Sequence, residues 1–149
     1  MSSTSRSTPR GFTLIEILVV IGIIAILATI VIIAINPARQ FAQARDTQRV
    51  SNINAILNAV GQNIADNKGT LTGCTGTFPT GTATTTNIGT GSGLVNLETC
   101  LVPTYLPAMV MDPVGGTAAD TKYFIAKYPS GRYVVQATGE ITTPIQVVR

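Results

Sequence analysis

The chain has no histidine and no tryptophan, and charged residues make up 11% of its 149 positions. Without histidine, the commonest general base and the commonest zinc ligand are both missing. That argues against an enzyme, with lysine- or carboxylate-based sites still open. Ten Lys and Arg stand against seven Asp and Glu, a net +3. Two of the cations, Arg6 and Arg10, fall in the first eleven residues, and removing them leaves eight against seven. Direct nucleic-acid binding calls for a strong basic stripe, so none is expected. Cysteine is scarce as well. Cys74 and Cys100 lack C-x-x-C spacing, which argues against a metal site or a thioredoxin-like motif. Two readings remain for them: one disulfide in an oxidising compartment, or two buried free thiols. The disulfide would close a loop of about 27 residues and contribute roughly 3–4 kcal/mol in the chain-entropy model.

Apolar residues are 45% of the chain, but they are unevenly spread. Residues 1–11 are polar and basic. From Phe12 to Ile35 the sequence is almost wholly apolar, FTLIEILVVIGIIAILATIVIIAI. That is about 24 residues, or a helix of about 36 Å, against a bilayer core of about 30 Å. The run is apolar all round, which suits lipid or a bundle interior rather than a surface helix. It is too long for the apolar region of a secretory signal peptide, which leaves an uncut signal anchor as the main alternative to a processed one. Arginines flank both ends, so charge does not fix orientation. A Cys74–Cys100 bond would place the C-terminal part outside. Small residues along the run, Ala25-x-x-x-Thr29 among them, would let helices approach closely.

Glu16 stands four residues into this run with no other ionisable group before Ile35. A charge at a bilayer centre costs about 2.5–3.5 kcal/mol on insertion scales and less near an interface, so Glu16 is expected to find a partner elsewhere or to be functional. Here R-G-F-T-L-I-E, Arg10 to Glu16, followed by the unbroken apolar run, resembles the leader and cleavage site of type IV pilin precursors. The resemblance implies that a membrane-embedded prepilin peptidase cuts between Gly11 and Phe12 and methylates the new Phe12 amine. Gly11 suits a cut site because its bare backbone can extend into a protease cleft. Cleavage turns the Phe12 amide into a cation, a counter-ion for Glu16 of a neighbouring subunit in a low-dielectric bundle. The expected partners are further copies of the chain, minor pilins, the peptidase, an inner-membrane assembly platform and, before assembly, the membrane. The expected location is a single-pass cytoplasmic membrane protein that becomes part of an external or periplasmic filament.

Asn36-Pro37 predicts a kink, because proline removes a backbone donor and clashes with the preceding turn. Helix then resumes to about Ile64, with Val50, Ile53, Leu57, Val60 and Ile64 on one apolar face. Arg45, Gln48, Arg49, Asn52 and Asn63 are assigned to its other faces. Arg39, Arg45 and Arg49 are read as a solvated or subunit-contacting face rather than a DNA stripe. The segment Asn36 to Arg49 also looks like that of many pilin-like proteins. Residues 69–93 are dominated by Thr and Gly and predict a loop. Gly89 to Gly93, G-T-G-S-G, matches no phosphate-binding spacing, and the threonines are candidate O-glycan carriers.

M-D-P-V-G-G, Met111 to Gly116, is similar to the Asp-Pro-x-Gly element of major pseudopilins in type II secretion. That family often binds calcium nearby, so Asp112 and Asp120 are weak calcium candidates; calcium wants six to eight oxygen ligands. The competing role for Asp112 is a turn residue bonded to its own backbone. Lys122–Tyr128 and Arg132–Ala137 flank Pro129-Ser130-Gly131 and predict a β-hairpin, with Tyr123 and Ile125 facing as Tyr133 and Val135 do. Residues 141–148 predict a third strand at an edge, because of Pro144. The expected fold is α+β. Its parts are a leader at 1–11, a membrane or filament-core helix at 12–35, an amphipathic half at 36–65, and a globular part at 66–149 with a sheet at 122–148. The expected function is a pilin-like structural subunit, with a type II secretion pseudopilin or a non-polymerising anchored binding protein as alternatives.

Overall fold

The computed structural model describes residues 11–80 and 85–149. Of the expected leader only Gly11 is described, and residues 81–84 of the Thr/Gly tract also lie outside the described residues. The chain divides into two units with the boundary between Gln40 and Phe41.

The first unit is dominated by α1, Leu14–Ile35, in which no residue is buried. Its length and composition suffice to cross a membrane. The helix stops at Asn36, whose backbone is left-handed at φ 48 and ψ 77. Proline disfavours helical geometry in the residue before it, and asparagine tolerates the left-handed region. Pro37 then opens α2, Pro37–Asp66, where its fixed φ suits a first helical position. The Asn36 side chain accepts a hydrogen bond from the Arg39 N–H at 3.3 Å. One residue thus closes α1 and caps α2, and the expected break falls there.

The second unit is built around the rest of α2. Ile53, Ile56, Leu57, Ala59 and Val60 are buried and share a cluster with Tyr123, Ile125, Tyr133, Val135, Ala137 and Ile145 of the sheet. Here the expected face needs correction. Val50 is exposed, while Arg49 and Asn63 are buried. The spacing 50, 53, 57, 60, 64 and the spacing 46, 49, 53, 56, 60, 63 share Ile53 and Val60. Ile53, Leu57 and Val60 of the expected face are buried, and the packed surface continues along the second spacing to Asp46 and Arg49 at one end and Asn63 at the other.

Four antiparallel strands form the sheet in the order β1-β2-β3-β4: Thr86–Asn87, Tyr123–Lys127, Tyr133–Ala137 and Ile145–Val148. The expected hairpin is β2–β3, paired Ile125 to Val135, and its turn is closed by the Gly131 N–H on the Tyr128 carbonyl at 2.9 Å. Gly131 has φ 85, which glycine adopts without penalty. β4 is an edge strand, beginning just after Pro144. Ala126 and Val134 are buried as well, so the second face of the hairpin is also covered at these positions.

β1 and the short helix α3, Glu98–Leu101, were not expected. The Thr/Gly tract is ordered around Ile88, which is fully buried, donates its N–H to the Tyr123 carbonyl at 2.8 Å and accepts from Thr121. Gly89 and Gly91 permit close backbone approach rather than looseness. Gly91 donates to the Ala119 carbonyl at 3.0 Å, and a side chain at Gly89 would collide with that same carbonyl.

Candidate functional site

Residues 11–13 precede α1, and Thr13, in extended backbone, opens the helix through a capping box. Thr13 Oγ1 accepts the Glu16 N–H at 3.3 Å. In return, Glu16 Oε2 accepts from the Thr13 N–H at 2.8 Å and from the Thr13 hydroxyl at 2.9 Å. Reciprocal capping of this kind satisfies donors that a helix start would otherwise leave open. The carboxylate therefore has a local partner, which the sequence reading overlooked although Thr13-x-x-Glu16 is the spacing of such a box. Phe12, Leu14 and Ile15 are exposed around it. Gly11 is exposed too, with open space where a side chain would lie.

Cys74 and Cys100 are joined in a disulfide with their Cα atoms 4.7 Å apart. Asp112 and Asp120 are held by different groups. Both Asp112 oxygens accept from Arg49, Oδ2 from Nε at 2.7 Å and Oδ1 from Nη2 at 3.0 Å. Oδ1 also accepts the Val114 N–H at 2.8 Å, the turn role. Asp120 accepts from the Lys122 ammonium at 2.8 Å and from Asn87 at 3.2 Å. No group of three or more acidic or cysteine ligands gathers among the described residues. Both carboxylates already face cationic donors, a poor fit to a calcium cage.

The largest departure from expectation is the charge cluster on α2. Arg49 is 3% exposed. Besides Asp112, it donates through Nη1 to Asp46 at 2.7 Å and to Glu140 at 2.9 Å. Arg45, nearer the surface, donates to Glu140 through Nε at 2.7 Å. Asp46 accepts three main-chain N–H groups, from Glu140, Ile141 and Thr142, at 2.9, 2.8 and 3.3 Å. Burial pushes the Asp46 carboxyl up, but these donors and Arg49 outweigh it and bring it down to about 2. Arg45 and Arg49 bring Glu140 down to about 2. Asp112 beside it raises Arg49 above the ordinary arginine value. The cluster pins the 111–114 turn and the 139–142 loop to α2. It was hidden because each member is an ordinary surface residue in sequence. The available signal was that 46 and 49 continue the helical spacing of 53, 56 and 60.

A wholly exposed apolar helix behind a capped acidic start, followed by an α+β unit with its own core, fits the class of membrane-anchored chains. The family model described as the prokaryotic N-terminal methylation motif matches residues 6–32. The chain therefore carries the type IV pilin and pseudopilin signal, with Gly11, Phe12 and Glu16 inside the matched segment. No curated protein and no solved structure matches the chain.

Proposed function

We propose that the chain is the precursor of a structural subunit of a type IV pilus or related filament. The observation that carries this reading is the methylation motif running directly into a helix that buries none of its apolar residues. Such a helix is at home in lipid, and in a filament core it exchanges lipid contacts for helix contacts. Close packing and satisfied polar groups then drive association, since lipid is as apolar as the helices themselves.

In this mechanism prepilin peptidase cuts after Gly11 and methylates the Phe12 amine. The Thr13–Glu16 box supports the first stage: it gives the carboxylate hydrogen-bond partners while the subunit waits in the membrane. Once Phe12 carries a charged amine, Glu16 of an adjoining copy gains a stronger, ionic partner, and pairing sets the axial register. Minor pilins and an inner-membrane platform are the further partners of this scheme. The role is structural rather than catalytic. The Asp112 turn preceding the β2–β3 hairpin favours a second reading within the class, a pseudopilin of a type II secretion-like system.

Mass spectrometry of the N-terminal peptide, on protein sheared from the cell surface, tests the proposal. A methylated Phe12 start is expected. An intact Met1 start, or a cut well beyond Phe12, overturns it in favour of an anchored or secreted binding protein.

A further inference from the structure

Asn63 is a buried side chain that the filament mechanism does not use. It is 4% exposed and lies on α2 three residues beyond Val60. Its Oδ1 accepts the Thr72 N–H at 3.1 Å, and its Nδ2 donates to the Thr72 carbonyl at 3.3 Å and to the Cys100 carbonyl at 3.2 Å. One amide thus grips Cys100 itself and the residue two positions before Cys74. Two further non-covalent links run alongside. The Thr99 hydroxyl donates to the Gly73 carbonyl at 2.9 Å. Thr75 and Asn96 exchange main-chain hydrogen bonds at 3.2 and 2.8 Å. Cys74 is therefore held on both sides, and Cys100 at its own carbonyl and on the residues before it, by contacts that need no sulfur.

We infer that Asn63 is a positioning residue for disulfide formation: it holds the two thiols together on the folded chain before they are joined. A buried, fully satisfied amide fixes geometry strongly, because leaving its partners unpaired is costly. Bond formation is a two-electron oxidation, and the oxidant is a disulfide, whether a small molecule or a protein. Cys74 is partly exposed and Cys100 buried, which makes Cys74 the entry point. Its thiolate attacks the oxidant, forming a mixed disulfide and releasing one oxidant thiolate. The Cys100 thiolate then attacks the Cys74 sulfur, closing the bond and releasing the second thiolate. The two cysteine protons pass to solvent or to the released thiolates. Asn63 acts on the second step by raising the local concentration of Cys100 at Cys74.

The test uses the full chain in detergent, reduced and then re-oxidised with glutathione disulfide, with free thiols trapped over time. Asn63→Leu removes these three hydrogen bonds, and the 3.4 Å one that Asn67 donates to Oδ1, at similar size. It is expected to slow ring closure by about tenfold or more, with the Cys74–glutathione mixed disulfide accumulating. In denaturing urea the variant and the parent should close at the same rate. A variant that closes as fast as the parent under native conditions, with no mixed disulfide, overturns the proposal. A second measurement does not depend on the variant folding. Hydrogen exchange of the reduced parent chain should leave the Thr72 amide protected. Exchange at a free-peptide rate would mean that the disulfide creates the contact, and the proposal fails.

Discussion

Asp46 and Glu140 are tied twice over: the Glu140 main-chain N–H donates to Asp46 at 2.9 Å, and Arg49 Nη1 donates to both carboxylates. Cutting the shared arginine back leaves carboxylates facing a site that was built around a cation. Breaking a buried pair from one side costs far more than losing a surface pair, so Arg49→Met is expected to destabilise the second unit by about 3 kcal/mol or more. Arg45→Met, which removes a half-exposed partner of Glu140, should cost under about 1 kcal/mol. Urea unfolding followed by circular dichroism reads both, and equal losses would remove the distinction between buried and exposed members.

The same cluster sets an acid limit. Asp46 and Glu140 are depressed to about 2 from ordinary values of 3.8 and 4.5. The unfolded chain then binds more protons between those limits, so stability rises with pH across the window. The contribution is complete above about pH 4.5 and is lost as pH falls through the folded value near 2. Unfolding midpoints measured from pH 6 down to about pH 2 should be flat at first and then fall. In Arg49→Met the fall should be shallower, because part of the depression is gone.

Glycine has opposite uses at Gly89 and Gly61. A side chain at Gly89 meets the Ala119 carbonyl, whereas Gly61 in α2 has open space around it. Gly89→Ala is expected to cost about 1–3 kcal/mol through forced backbone shift. Gly61→Ala should stabilise by about 0.4–1 kcal/mol by restricting the unfolded chain. Thermal melts of the two variants, moving in opposite directions, check the pair.

Glu16→Gln keeps the size of the side chain and weakens its charge-dependent pairing. Processing at Gly11–Phe12 should continue, while filament recovered by shearing should fall by about tenfold, the effect of losing about 1.4 kcal/mol per contact. Normal filament yield from a processed Glu16→Gln subunit would rule out the ionic pairing without touching the subunit assignment.

The elements legible in sequence are those whose signal is local. The α1 run is uniformly apolar, and Tyr123, Ile125, Tyr133 and Val135 alternate across an obvious turn. Arg49 and Asn63 were misplaced because their partners are distant: Asp112 lies 63 positions from Arg49 and Cys100 lies 37 from Asn63. A polar residue on a helix is taken for a surface residue until its counterpart is known. The short strand β1 and the buried Ile88 inside the Thr/Gly tract were missed for a related reason. Glycine reports freedom in isolation, but at Gly89 it reports a neighbouring strand of backbone that no local window contains.

Asp46 holds the 139–142 loop through the main-chain N–H groups of Glu140, Ile141 and Thr142, while the Ile141 and Thr142 side chains are exposed. A grip on backbone is indifferent to what the chain spells at those two positions. Side chains on the outer face of that loop can therefore change while the loop keeps its course through space.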